Sequence, residues 1–163
     1  MPCEKLLDYL EDNGVDFEFI EHPRAYAAED VARKVGVSQR AFAMTVMVKL
    51  DALMAMAVVP AAFKINFNLL RDAADAGTIN LALEREFASR FPDCELGAMP
   101  PFGNLYDLRV FADGSLAENE TIAFNAGTHR EVITLAWDDF VELVDPHLAR
   151  FAYQSLREDR IAW

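Results

Sequence analysis

AFAMTVMVKL (Ala41–Leu50) runs directly into DALMAMAVVP (Asp51–Pro60), and this pair of decapeptides decides how the chain folds. Every residue of the first is apolar except Thr45 and Lys49, and the second is apolar between Asp51 and the closing Pro60. Two apolar runs of strand length, split by Asp51-Ala52, predict a β-hairpin over Ala41–Leu50 and Leu53–Val59. Side chains alternate faces along a strand. Met44, Val46, Val48 and Leu50 therefore share one face, and Ala43, Thr45, Met47 and Lys49 share the other. The first face is wholly apolar, so on the residues alone Met44 reads as a filler of the core. Lys49 is an odd number of positions away from Met44 and points to the opposite side unless a bulge intervenes.

Working outward from the hairpin, Leu6, Leu7 and Leu10 fall on one face of a predicted helix from about Pro2 to Asp12, ended by Asn13-Gly14. Phe17 to His22 alternates as a half-buried strand and is broken by Pro23. Ala28 to Val35 is a second helix that stops at Gly36. Asn68 is expected to cap a helix through Leu69, Leu70 and Ala73. Ile79 to Leu81 reads as a strand and Leu83 to Arg90 as a helix. Leu108 to Ala112, Thr121 to Asn125 and Val132 to Ala136 read as strands, and Trp137 to Val144 as a helix before Pro146. Strands mixed with helices, without strict alternation, predict an α+β fold: a mixed, curved sheet or partial barrel with surrounding helices. Residues 1–150 form a single domain in this reading, and 151–163 form a peripheral C-terminal tail.

Composition narrows the function. The chain has 163 residues, 53% hydrophobic and twelve of them Phe, which suits one domain with a substantial core. No apolar run reaches the roughly 20 residues that cross a bilayer, and the acidic, amphipathic N-terminus is not a secretory signal. The formal net charge of −12 repels nucleic acid, which binds largely through phosphate neutralisation. It argues against a DNA-binding role, and an RNA partner would need a local basic patch or a carrier protein. Cys3 and Cys94 form neither a disulfide framework nor a metal site by spacing, and a reducing, cytoplasmic location fits them.

Few residues stand out for chemistry. Gly97-Ala98-Met99-Pro100-Pro101-Phe102-Gly103 combines two glycines, which permit backbone conformations closed to other residues, with two prolines that stiffen the chain. Such a loop suits a binding wall or a structural turn. Asn125-Ala126-Gly127-Thr128-His129 follows a strand, and its imidazole could titrate near neutral pH or serve structure. His22, at a strand end before Pro23, could line a cavity or cap the strand, with the structural role favoured, and His147 carries no functional weight. The three histidines are scattered without a Cys ligand pattern, so no zinc site is expected. A P-loop, a nucleophile elbow and a dinucleotide-binding glycine fingerprint are all missing from the sequence.

Taken in order, LLDYLEDNGVDFEFIEHP, AFAMTVMVKL with MAMAVVPA, FPDCELGAMPPFG, and FNAGTH with the DF of WDDFVELV resemble the YbaK/prolyl-tRNA-synthetase-associated domain family. The resemblance runs from about Leu6 to Pro146. It implies an α+β, barrel-like sheet and hydrolysis of the ester that joins a wrong amino acid, of the small Ala, Cys or Ser type, to tRNA. It implies no cofactor. The implied partner is the acceptor end of tRNA, bound weakly and with the help of a synthetase or elongation factor. The implied pocket lies between the strand Ala43–Leu50, the loop Gly97–Gly103 (Gly97, Ala98, Met99, Pro100, Pro101, Phe102, Gly103) and the segment Asn125–His129, with Gly97 and Pro101 near the aminoacyl group. Thr45, Asn125, Gly127 and His129 are then pocket residues.

The chain departs from the family pattern at Met44, where members usually carry lysine. An ammonium there can bind phosphate or stabilise an oxyanion. Losing one such contact costs about 2.7–4 kcal/mol, and a thioether has neither charge nor donor. Two functions follow: an active aminoacyl-tRNA deacylase, or a catalytically impaired binding or regulatory module of the same fold.

Overall fold

In the computed structural model, which describes residues 3–154, the hairpin forms as the apolar pattern dictates. Residues 43–50 and 53–60 pair antiparallel over their whole length, from Ala43 opposite Pro60 to Leu50 opposite Leu53. Asp51 and Ala52 both take positive φ, 51° and 68°. This is the primed two-residue turn whose twist matches the flanking strands. Neither residue is glycine, and the conformation is secured from outside: the Asp51 carboxylate accepts the N–H groups of Gly77 and Thr78, each at 2.9 Å.

In chain order the elements are α1 (Glu4–Asp12), β1 (Phe17–Glu21), α2 (Ala28–Val35), β2 (Ala43–Leu50), β3 (Leu53–Pro60), β4 (Phe63–Ile65), α3 (Phe67–Ala73), β5 (Ile79–Leu81), α4 (Glu84–Phe87), β6 (Arg109–Asp113), β7 (Thr121–Asn125), β8 (Glu131–Ala136), α5 (Trp137–Val144), β9 (His147–Ala149) and β10 (Ala152–Gln154). The hairpin sits at the centre of a five-stranded sheet ordered β5-β2-β3-β6-β9, in which β6 runs parallel to β3 and β9 parallel to β6. A three-stranded antiparallel sheet, β1-β8-β7, and a two-stranded pair, β10-β4, complete the strands. A single bridge from Phe42 to Ala123 joins the sheets at the head of β2. The result is a mixed α+β fold whose sheets do not close into a barrel among the described residues.

Both faces of the hairpin are covered, which is why β3 is apolar without alternation. Ala43, Met47, Met56 and Val58 face the main core of Phe91, Phe102, Phe124 and Phe140. Val48, Leu50, Ala55, Ala57 and Val59 face a second core with Leu70, Phe111 and Phe151. Met44 lies half-buried where this second core meets a third around Phe42, Ala123 and Val132. Lys49 points the other way, as the alternation requires, and pairs with Glu86 at 2.6 Å.

Several expectations are corrected. The cap of α3 is Asn66, not Asn68: its side chain accepts the Leu69 N–H at 3.1 Å, and the helix starts at Phe67. The helix expected over 83–90 shortens to α4 and one 3₁₀ turn, Ala88–Arg90. β1 is an edge strand with Phe19 exposed rather than a half-buried one. The chain does not become peripheral at Phe151. That residue is fully buried, and the buried Asp113 carboxylate accepts the N–H groups of Phe151 (2.9 Å) and Ala152 (2.8 Å). Residues 152–154 then pair with β4. The rest of the expected tail, 155–163, lies outside the described residues. No helix among the described residues is long and apolar enough to cross a membrane.

Candidate functional site

Three connecting segments, 22–26, 95–98 and 125–130, are stitched together at one end of the three-stranded sheet. The turn after β7 needs glycine: Gly127 has φ +105°, and a Cβ there would sit 3.0 Å from the Cys3 Cβ. Gly127 donates its N–H to Ala98 O (3.0 Å) and accepts at its carbonyl from Glu95 N (2.8 Å). This pins the glycine–proline loop to the turn. On the other side Ala25 N donates to His129 O (3.1 Å) and His22 N to Arg130 O (2.9 Å). The Tyr26 ring stands 4.6 Å from the His129 ring.

His129 is 6% exposed and His22 is 8% exposed. Nε2 of His129 lies 2.8 Å from Leu96 O, and Nδ1 of His22 lies 2.7 Å from Pro23 O. A carbonyl only accepts, so each of these nitrogens carries the proton. In the neutral rings this leaves Nδ1 of His129 and Nε2 of His22 as bare acceptors, and both are buried without a partner. Thr45 Oγ1 and Asn125 Oδ1 are buried and unpartnered in the same way. Buried polar atoms are normally paired, so an orphaned one calls for an explanation such as a ligand or water. Three of these four orphans, Thr45, Asn125 and His129, fall on residues the family resemblance implied. The fourth, His22, was read from the sequence as structural.

The loop divides in two. Leu96 and Gly97 are exposed. Gly97 has φ +86°, and a Cβ there would meet His129 Cε1 at 3.3 Å. Its N–H points at the Met99 sulfur, 3.3 Å away, a weak acceptor that a better one would displace. From Ala98 to Gly103 the chain is buried. The Phe102 ring is spent on the core, 5.4 Å from Phe124 and 5.6 Å from Phe140. Gly103 was expected to serve backbone freedom or ligand approach. Instead it serves packing, because a Cβ there would meet Val110 Cγ2 at 2.6 Å and Leu108 O at 2.8 Å. As a wall, this loop offers backbone at Gly97 rather than the side chains of its second half.

Met44 and Thr45 lie near the head of β2, next to the seam between sheets, with their side chains on opposite faces of the strand. The parallel bridge from Phe42 to Ala123 joins the sheets at this point, and β2 and β7 are in contact. At the rim, the Glu95 carboxylate accepts His129 N (3.0 Å) and pairs with Arg24 (3.2 Å). The hydrogen bond from His129, with Arg24 beside it, holds the Glu95 carboxyl below its usual range. Arg130 next to His129 is exposed.

The structure also joins what the sequence kept apart. Cys3 and Cys94 meet at Asp93, and Tyr106 closes the group. Spacing alone gave no sign of this, because α1 brings Cys3 back across the fold.

A sequence model of the aminoacyl-tRNA editing domain matches residues 22–143. No curated protein matches the chain. Among solved structures, the fold is similar to a candidate trans-editing enzyme for prolyl tRNA synthetase, with a TM-score of 0.81 at 16% identity over 93% of this chain and 96% of that one. It is equally similar to a hypothetical protein, with a TM-score of 0.81 at 17% identity over 91% and 99%. A candidate signal transduction protein from Marinobacter aquaeolei VT8 matches at a TM-score of 0.73 and 15% identity over 91% of this chain and 30% of that one.

Proposed function

The chain belongs to the aminoacyl-tRNA editing domain family, and from that premise we propose that it hydrolyses mischarged aminoacyl-tRNA in trans, acting on small amino acids of the Ala, Cys or Ser type. The observation that carries this reading is the bare Nδ1 of the buried His129 beside the exposed Gly97 backbone. A water bound to Nδ1 gives that nitrogen a proton as its oxygen bonds to the ester carbonyl carbon. General-base assistance of this kind contributes typically about 10²–10⁴-fold. The Gly97 N–H leaves the Met99 sulfur for the developing oxyanion, as donors aimed at such a charge do. The tetrahedral intermediate then breaks its bond to the ribose oxygen, which recovers the proton, and the free amino acid and tRNA separate. Thr45 Oγ1, Asn125 Oδ1 and His22 Nε2 supply the remaining polar contacts to the ribose and the amino group.

The likeness to a candidate trans-editing enzyme supports action on tRNA charged by another protein. With a net charge of −12, the domain draws part of its tRNA affinity from a synthetase or elongation factor, and its two free thiols suit the cytoplasm. One observation favours a second reading, a binding module of impaired activity. Met44, in place of the family lysine, is packed among apolar side chains and offers nothing to phosphate or oxyanion.

Purified protein incubated with Ala-, Cys- and Ser-charged tRNA separates the two readings. Deacylation of at least one above uncatalysed hydrolysis, lost in His129→Gln, supports the first. No deacylation of any supports the second. Met44→Lys sharpens the test: a gain in rate shows an intact pocket that lacks its ammonium, and an unchanged rate counts against an editing pocket at this seam.

A further inference from the structure

The two cysteines of the chain lie 91 positions apart in sequence yet converge on one carboxylate. Cys3 Sγ stands 2.9 Å from Asp93 Oδ2, and Cys94 Sγ stands 3.7 Å from Asp93 Oδ1. The three ligand atoms all lie within 4.8 Å of one another. The Tyr106 hydroxyl donates to Asp93 at 3.3 Å and lies 3.2 Å from Cys3 Sγ. Cys3 is buried and Cys94 half-buried. Beside them is a surface depression of about 300 Å³ lined by Pro92, Asp93, Cys94, Glu95, Gly127 and Thr128.

The geometry points to a divalent metal site of the zinc class, with Cys3 Sγ, Cys94 Sγ and one Asp93 oxygen as ligands and a solvent molecule from the depression as the fourth. Zn–S bonds of about 2.3 Å and Zn–O bonds of about 2.1 Å place tetrahedral ligands about 3.4–3.8 Å apart, close to the spacing already present. Two thiolates select zinc over magnesium or calcium, which prefer all-oxygen shells. Tyr106 keeps its hydrogen bond to Asp93 and orients the ligating carboxylate, as outer partners of metal ligands do.

Bound there, the ion ties the start of α1 to the loop that leads into Glu95 and Gly97. It reinforces a contact already made by Cys3 N to Ala126 O at 2.8 Å. It is a clamp on the wall of the candidate site and takes no part in the ester chemistry above, so it stands or falls separately.

Cobalt(II) is the probe. Protein reduced with a phosphine, stripped with chelator and titrated with Co²⁺ should develop thiolate charge-transfer absorption in the near ultraviolet and the strong visible bands of a tetrahedral site. Both should saturate at stoichiometric metal, with release of protons. Zn²⁺ should bleach the visible bands and raise the melting temperature. Cys94→Ser, at the half-exposed position, should abolish the bands and the zinc-dependent rise in melting temperature while the metal-free protein stays folded. Asp93→Asn should weaken cobalt binding at least tenfold. Absence of the bands, their survival in Cys94→Ser, or recovery of Cys3 and Cys94 joined as a disulfide after immediate alkylation of the cell lysate would each overturn the assignment.

Discussion

Asp113 and His129 are both polar, both buried, at 1% and 6% exposure, and both stand where strands end, yet they are built differently. The Asp113 carboxylate is saturated. It accepts the backbone N–H groups of Phe151, Ala152 and Ser115 and the Ser115 hydroxyl. His129 is held just as firmly, through its backbone N–H, its backbone carbonyl and its Nε2, but one ring nitrogen is left with nothing. A buried charge that is fully paired ties the chain together. A buried acceptor kept bare lowers stability and makes sense where a ligand or water completes it. By this test the corner of His22, Gly97 and His129 is the place for the site we propose, and the corner of Asp113 is architecture.

The sharpest way to break the contrast is to delete both groups. Asp113→Ala strands several buried donors at once, at about 1–3 kcal/mol each, and should destabilise the fold by about 3 kcal/mol or more in urea unfolding. His129→Gln should move stability by no more than about 1 kcal/mol. In deacylation the order reverses: His129→Gln should lower the rate constant about a hundredfold or more, measured with the small-amino-acid tRNA that the wild type cleaves fastest. Equal stability losses for the two variants would dissolve the distinction between them.

Gly97→Ala probes the boundary between the two kinds of residue. Its φ of +86° and a Cβ 3.3 Å from His129 Cε1 predict a loss of about 1–2 kcal/mol from left-handed strain and contact. They also predict a displaced imidazole, read as lost activity out of proportion to lost stability. Gly103→Ala, where the obstacle is Val110 and the Leu108 backbone, should cost stability without that excess.

How much of this the sequence revealed follows the same divide. The hairpin, the faces of β2 and the opposition of Lys49 to Met44 are legible because alternation is local and both faces are apolar. The strands Phe63–Ile65, His147–Ala149 and Ala152–Gln154 are too short to show a period, and each exists because a distant partner pairs with it. His129 and Thr45 were reachable through the resemblance to a family. His22 was not, since what distinguishes it is a lone pair left bare when Nδ1 turns to the Pro23 carbonyl, and no residue pattern encodes that. The meeting of Cys3, Asp93 and Cys94 was hidden for the same reason: it is a product of how α1 docks.

The smallest expected effect concerns Glu95, which belongs to both kinds: it is a paired carboxylate, yet its pairing serves the orphaned ring. Its pKa is lowered in the fold by the His129 N–H first and by Arg24 nearby. A depressed carboxyl contributes stability that is present above its unfolded pKa, near the ordinary 4.5, and disappears as pH falls through the folded value. Glu95→Gln should therefore flatten the acid side of the stability–pH curve below about pH 4.5 and, at neutral pH, remove the small contribution that the carboxylate makes there. The side chain is more than a third exposed, and solvent screens the pair with Arg24. Deacylation at neutral pH should fall modestly, because the neutral amide still accepts the His129 N–H but no longer draws Arg24 to the rim. If Glu95→Gln instead destabilised the protein at pH 7 as strongly as Asp113→Ala, the carboxylate would be an architectural tie like Asp113, and the line between site and scaffold would run on the other side of residue 95.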